Sequence, residues 1–109
     1  SSTYKSPNGT EILYYNHENN NIKTKDLANI FSEEISNNIS LKNNGLIQMR
    51  NKEVFILNNA TVPAIIIETG YMSAPRDLDY LNSEYGQQTI VKGIYSGIWR
   101  AYEELIPSK

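Results

Sequence analysis

The residue of this 109-residue chain best suited to chemistry is a carboxylate that ends an apolar run. In "VPAIIIETGYM", residues 62–72, Ala64 through Ile67 lead directly into Glu68. A carboxylate leaving a dry strand is partly desolvated, which raises its pKa and suits it to taking and returning a proton. Gly70, two residues on, lets the chain turn away and leaves room for a substrate. Glu68 could equally cap a helix or pair with Arg50 or Arg76, and spacing alone does not separate these uses. His17 is the only histidine and cysteine is absent, so these residue types cannot supply the roughly three ligands of a catalytic zinc site. Within the polar stretch "NHENNN", residues 16–21, His17 reads as a solvated loop residue. Most of the tyrosines read as packing at the edge of a core, whereas Tyr71 is close enough to Glu68 to line a groove.

Periodicity indicates the elements that must position Glu68. "GTEILYY", residues 9–15, is rich in aromatic and β-branched residues and is bounded by Asn8-Gly9 and the Asn run, so it predicts a strand with Glu11, Leu13 and Tyr15 on one face. From Thr24 as N-cap, Leu27, Phe31, Ile35 and Ile39 recur every four residues, which predicts an amphipathic helix ending near Ser40. "LKNNG" then reads as a stop, with Gly45 suited to a left-handed cap or turn. "EVFIL", residues 53–57, predicts a second strand and residues 63–68 a third. Ser73 and Pro75 open a short helix over "RDLDYL", and Ser83 caps a longer one with a stripe of Ile90, Val91, Ile94, Ile98, Ala101, Tyr102 and Leu105. Gly93 and Gly97, one turn apart in that helix, read as a site of close packing against a neighbouring layer.

This order predicts an α/β fold, three-layered, with a mostly parallel central sheet flanked by helices. An unbroken "AIII" suits a parallel strand covered on both faces, and open sheets of that kind place ligand sites beyond the carboxyl ends of their strands. Glu68 is therefore expected at the end of a central strand, lining a cleft. The length allows one domain at most. Ten Lys and Arg against twelve Asp and Glu, a formal net charge of −2 without a basic stripe, argue against a nucleic-acid partner. No apolar run reaches the roughly 20 residues of a membrane helix, so no membrane span is expected in this segment.

Taken in order, "GTEILYY", "KDLANIFSEEI", "VFILNNATVPAIIIETGYMSAPRDLDYL" and "IVKGIYSGIWRAY" resemble the zinc-dependent N-acetylmuramoyl-L-alanine amidases of bacterial cell walls. The most specific piece is Pro63-Ala64 opening an apolar strand that ends in Glu68-Thr69-Gly70-Tyr71, followed by Ser73 and an acidic, leucine-bearing helix. The resemblance implies a peptidoglycan hydrolase that cleaves the amide between N-acetylmuramic acid and L-alanine. In it Glu68 would be the catalytic base acting on zinc-activated water. Gly9 and Glu11 match the family's Gly-x-Glu strand, with a structural or groove-forming role.

The sequence departs from the family pattern in two places. Ala74 stands where the family commonly has Asn after the Gly-aromatic-x-Ser stretch, which removes any hydrogen bond that Asn would make. The family's zinc ligands, two histidines and a glutamate, would lie upstream of Ser1. Residues 1–109 are thus expected to be the C-terminal portion of one amidase catalytic domain, inactive alone, with Zn2+ as the implied cofactor. Peptidoglycan is the expected substrate, an activator protein or a missing N-terminal half the expected partner, and the cell wall or spore cortex the expected location. The competing reading is a non-catalytic amidase-like module that binds peptidoglycan or a partner protein.

Overall fold

A computed structural model describes residues 7–17 and 23–107, so residues 18–21 of the expected polar loop lie outside the described residues. The chain order is β1 (Thr10–Tyr14), α1 (Thr24–Asn38), β2 (Asn43–Gln48), α2 (Phe55–Asn59), β3 (Ile65–Glu68), α3 (Pro75–Asn82) and α4 (Glu84–Leu105). The three strands form a sheet in the order β2-β1-β3. β1 runs parallel to β2 and antiparallel to β3, so this part of the sheet is mixed. The strand ending in Glu68, expected at the centre, is one of the two outer strands of the three, and β1 lies in the middle.

α1 forms because its apolar residues recur at helical spacing, and it lays them across all three strands. Ala28, Phe31 and Ile35 close over Ile12 and Tyr14 of β1, with Ile65 and Ile67 of β3 packed alongside. Glu11, Leu13, Ile66 and Glu68 alternate with these residues and so occupy the opposite face of the sheet. α4 packs along α1. A Cβ added at Gly97 would stand 2.6 Å from the Phe31 ring, and one at Gly93 3.4 Å from the Glu34 carbonyl oxygen, so the close approach expected of these glycines is made to α1. Arg100 of α4 ties the same pair of helices, donating to Glu33 at 2.9 Å and Glu34 at 3.0 Å.

Three local expectations are corrected. α1 does end before "LKNNG", at Asn38, but that stretch is not a stop alone: Asn43, Asn44 and Gly45 belong to β2. Pairing slips by one residue between Thr10↔Asn43 and Ile12↔Leu46, and Gly45 takes φ +83° in the resulting bulge, where the Asn43 side chain accepts its N–H at 2.7 Å. "EVFIL" is not a strand but the lead-in to the one-turn helix α2, whose Phe55 and Ile56 are exposed while Leu57 is buried. Lys52 just before it adopts a left-handed φ of +64°, turning the chain out of sheet geometry, and its N–H is held by the Asn58 side chain at 2.8 Å. Thr24 is the first helical residue rather than the cap, which is Lys23. Ser83 does cap α4 as expected, accepting from the Gly86 N–H at 2.9 Å.

Candidate active site

Glu68 and Glu11 become neighbours through strand register. In the antiparallel β1–β3 pair Glu11 stands opposite Glu68, and directly paired residues project to the same face. Gly9 fixes where β1 begins: it takes φ +90°, and a Cβ there would collide with the Lys42 carbonyl. The Thr10 N–H donates to that carbonyl oxygen at 2.7 Å. This accounts for the glycine of the Gly-x-Glu pattern and places Glu11 two residues into the strand.

Beyond Glu68 the chain turns through Thr69 and Gly70, and Tyr71 folds back toward the two carboxylates. Its hydroxyl donates to Glu11 Oε1 at 2.9 Å and lies 3.5 Å from Glu68 Oε2. Gly70 permits that turn to press against α3, since a Cβ there would sit 3.2 Å from Leu81 and 3.4 Å from the Asp77 side chain. Asp77, 2% exposed and in the first turn of α3, accepts from the Tyr71 N–H at 3.0 Å and from the Gly9 N–H at 2.7 Å through the same oxygen, Oδ2. One buried carboxylate thus clamps the start of β1 to the turn that carries Tyr71.

The electrostatics follow from that geometry. Glu68 is half-buried, and its carboxyl is pushed above the ordinary carboxylate value first by burial, then by the hydrogen bond and negative charge of Glu11, with the Tyr71 hydroxyl acting the other way. The Tyr71 phenol is pushed up to about 12, chiefly by its hydrogen bond to Glu11 and then by burial. Among the described residues neither Glu11 nor Glu68 forms an ion pair; Arg50 pairs with Glu53 at 3.7 Å. A half-buried carboxyl facing a second carboxylate and a phenol, without a cation, is an arrangement for moving a proton.

The other residues singled out from the sequence stand elsewhere. His17 is not simply solvated: its Nε2 donates to the Leu57 carbonyl at 2.8 Å, and its ring meets Tyr15 edge-on at 4.6 Å. Ala74 is the N-cap of α3 and supplies no side-chain cap, only its carbonyl to the Leu78 N–H at 2.9 Å. A cleft lined by Glu68 was expected, but the described cavities lie away from it. One of about 400 Å³ is an apolar groove between α1, β3 and α4. Another of about 380 Å³ lies beside Ala74 and Asp77. Asp77 escaped the sequence reading, where its only signal was an acid two residues after Pro75, the pattern of an ordinary helix start.

A profile of the N-acetylmuramoyl-L-alanine amidase family matches residues 1–100. The chain is 28% identical over 96 residues to the germination-specific N-acetylmuramoyl-L-alanine amidase of Bacillus subtilis, covering 88% of this chain and 38% of that protein. Its fold is similar to the N-acetylmuramoyl-L-alanine amidase AmiC2 of Nostoc punctiforme, with TM-score 0.76 and 30% identity over 89% of this chain and 49% of the other. It is likewise similar to the catalytic domain of the amidase CwlV from Bacillus (Paenibacillus) polymyxa var. colistinus, with TM-score 0.77 and 24% identity over 94% of this chain and 52% of the other. The chain spans about half of each of these structures and less of the Bacillus subtilis relative.

Proposed function

The chain belongs to the N-acetylmuramoyl-L-alanine amidase family, and on that premise we propose that it is the C-terminal portion of a catalytic domain that hydrolyses the N-acetylmuramic acid–L-alanine amide of peptidoglycan, with Glu68 as base. The observation that carries this reading is the half-buried carboxyl of Glu68, set beside Glu11 and the Tyr71 hydroxyl at the end of β3 and paired with no cation among the described residues. A carboxyl with a raised pKa is a stronger base when ionised and a competent acid once protonated.

In the proposed reaction Glu68 takes a proton from the attacking water as the water oxygen bonds to the lactyl carbonyl carbon. The C–N bond then breaks, and the proton held by Glu68 passes to the departing alanine nitrogen. One water is consumed and Glu68 returns to its starting form.

The described residues do not fit a zinc site. Among them no three His, Cys, Asp or Glu side chains converge on a point where a metal could sit. In this proposal the ligands of the zinc-dependent reading belong to the half of the domain that the chain does not span. That half, or a protein that supplies or activates it, is the protein partner in this proposal. The substrate places the enzyme at the bacterial envelope, in the cell wall or spore cortex.

The bond cleaved can be read directly. Purified peptidoglycan digested by the complete domain should gain free alanine α-amino groups without gaining reducing sugar ends. New reducing ends would indicate a glycosidase. Retention on peptidoglycan without any product would indicate a binding module.

A further inference from the structure

We propose that Glu11 is a positioning residue for Glu68, acting across the β1–β3 pair and through the Tyr71 hydroxyl that lies between the two carboxylates. This rests on the reading of Glu68 as the base and adds how that base is held and tuned.

The phenol has one proton and can donate it to either carboxylate, 2.9 Å away at Glu11 and 3.5 Å away at Glu68, so the two acids compete for it. Tyr71 cannot drift from this position without breaking its backbone bond to Asp77, and Glu11 is held from the same carboxylate through Gly9. Among the described residues the groups facing Glu68 are Glu11 on β1 and Tyr71 on the turn after β3, with Asp77 on α3 behind that turn. A purely structural role for Glu11 is a poor fit, because like charges directly opposite in a strand pair destabilise it. Glutamine at position 11 would accept the Tyr71 proton equally well without the repulsion.

The two neighbours act on Glu68 in opposite senses: the bond and charge of Glu11 raise its pKa, while the Tyr71 hydroxyl lowers it. Glu11→Gln should therefore move the titration of Glu68 to lower pH, and Tyr71→Phe should move it to higher pH. Loss of fold integrity would not produce shifts of opposite sign.

The test has two arms. In the complete domain, the acid limb of the kcat–pH profile on purified peptidoglycan is compared for wild type, Glu11→Gln and Tyr71→Phe. In this chain, the Glu68 side-chain carboxyl is titrated by 13C NMR, its signal assigned by loss in Glu68→Gln. The proposal expects the limb and the carboxyl signal to move together, down for Glu11→Gln and up for Tyr71→Phe, with KM changing less than kcat. Variants that lower kcat while both midpoints stay put, or move in one common direction, overturn it. If Glu68→Gln keeps near-native turnover, the base assignment falls by itself. The carboxyl titration then still judges the coupling: opposite shifts support it and unmoved midpoints overturn it.

Discussion

Glu11 and Glu68 face each other across an antiparallel strand pair, and a single tyrosine hydroxyl, from Tyr71, touches both carboxylates. Two acids in one half-buried place, with no cation to pair them among the described residues, work against folding and fit the proton transfer proposed for Glu68.

That opposition has a pH dependence. The folded-state pKa of Glu68 stands above its ordinary value, so the folded chain keeps this proton to higher pH than the unfolded chain does. The stabilisation this gives is complete below the unfolded pKa and is lost as pH rises through the raised folded value. Glu68→Gln should therefore raise stability at pH 7 by on the order of 0.5 kcal/mol and change it little at about pH 4. Denaturant melts at the two pH values measure this. An equal effect at both, or a loss at pH 7, would contradict the carboxylate pairing.

Asp77 should matter more to stability than its place in a short surface helix suggests. Removing a buried carboxylate that accepts two backbone N–H groups leaves both donors unsatisfied. Asp77→Ala is expected to cost about 3 kcal/mol, and Asp77→Asn less, since its amide oxygen can still accept. Urea denaturation gives both values. A cost below about 1 kcal/mol for Asp77→Ala would mean that the clamp between Gly9 and Tyr71 is not holding.

The two glycines of α4 should respond differently to the same change. Gly93→Ala has room and should gain up to about 1 kcal/mol of helix propensity. Gly97→Ala would push into the buried Phe31 ring and should lose about 1–3 kcal/mol net. Thermal melts of the two variants decide it, and equal responses would contradict the packing of α4 on α1.

How much of this was legible in the sequence depended on range. α4 could be read because Ser83 and the apolar stripe act within a turn or two of each other. β2 could not: "KNNG" carries turn chemistry, and only pairing with β1, more than thirty residues away, makes it a bulged strand. "EVFIL" has strand composition, but its single buried residue, Leu57, and the left-handed Lys52 make it a turn of helix. Glu68 stood out as a candidate because a charge ends an apolar run. Glu11 stood out only through the Gly-x-Glu resemblance, and its pairing with Glu68 was not legible, because that contact depends on an antiparallel register no local pattern encodes. Asp77 was hidden for a related reason, since one of its two N–H donors, Gly9, comes from the far end of the chain.

Zinc should not be held tightly by residues 1–109 alone. A catalytic zinc takes about three protein ligands in fixed geometry, and His17 is committed to the Leu57 carbonyl. Calorimetric titration of zinc into this chain should show only weak binding. Stoichiometric submicromolar binding, abolished by His17→Ala, would move the metal site into this segment.

In the proposed reaction Glu68 is the proton acceptor. In the complete domain, with zinc content and melting temperature checked, Glu68→Gln should retain metal and fold, because the amide is nearly isosteric, yet lose roughly 10²–10⁴-fold in turnover of purified peptidoglycan. Turnover of that variant within a few-fold of wild type would contradict the assignment and remove Glu68 from the chemistry.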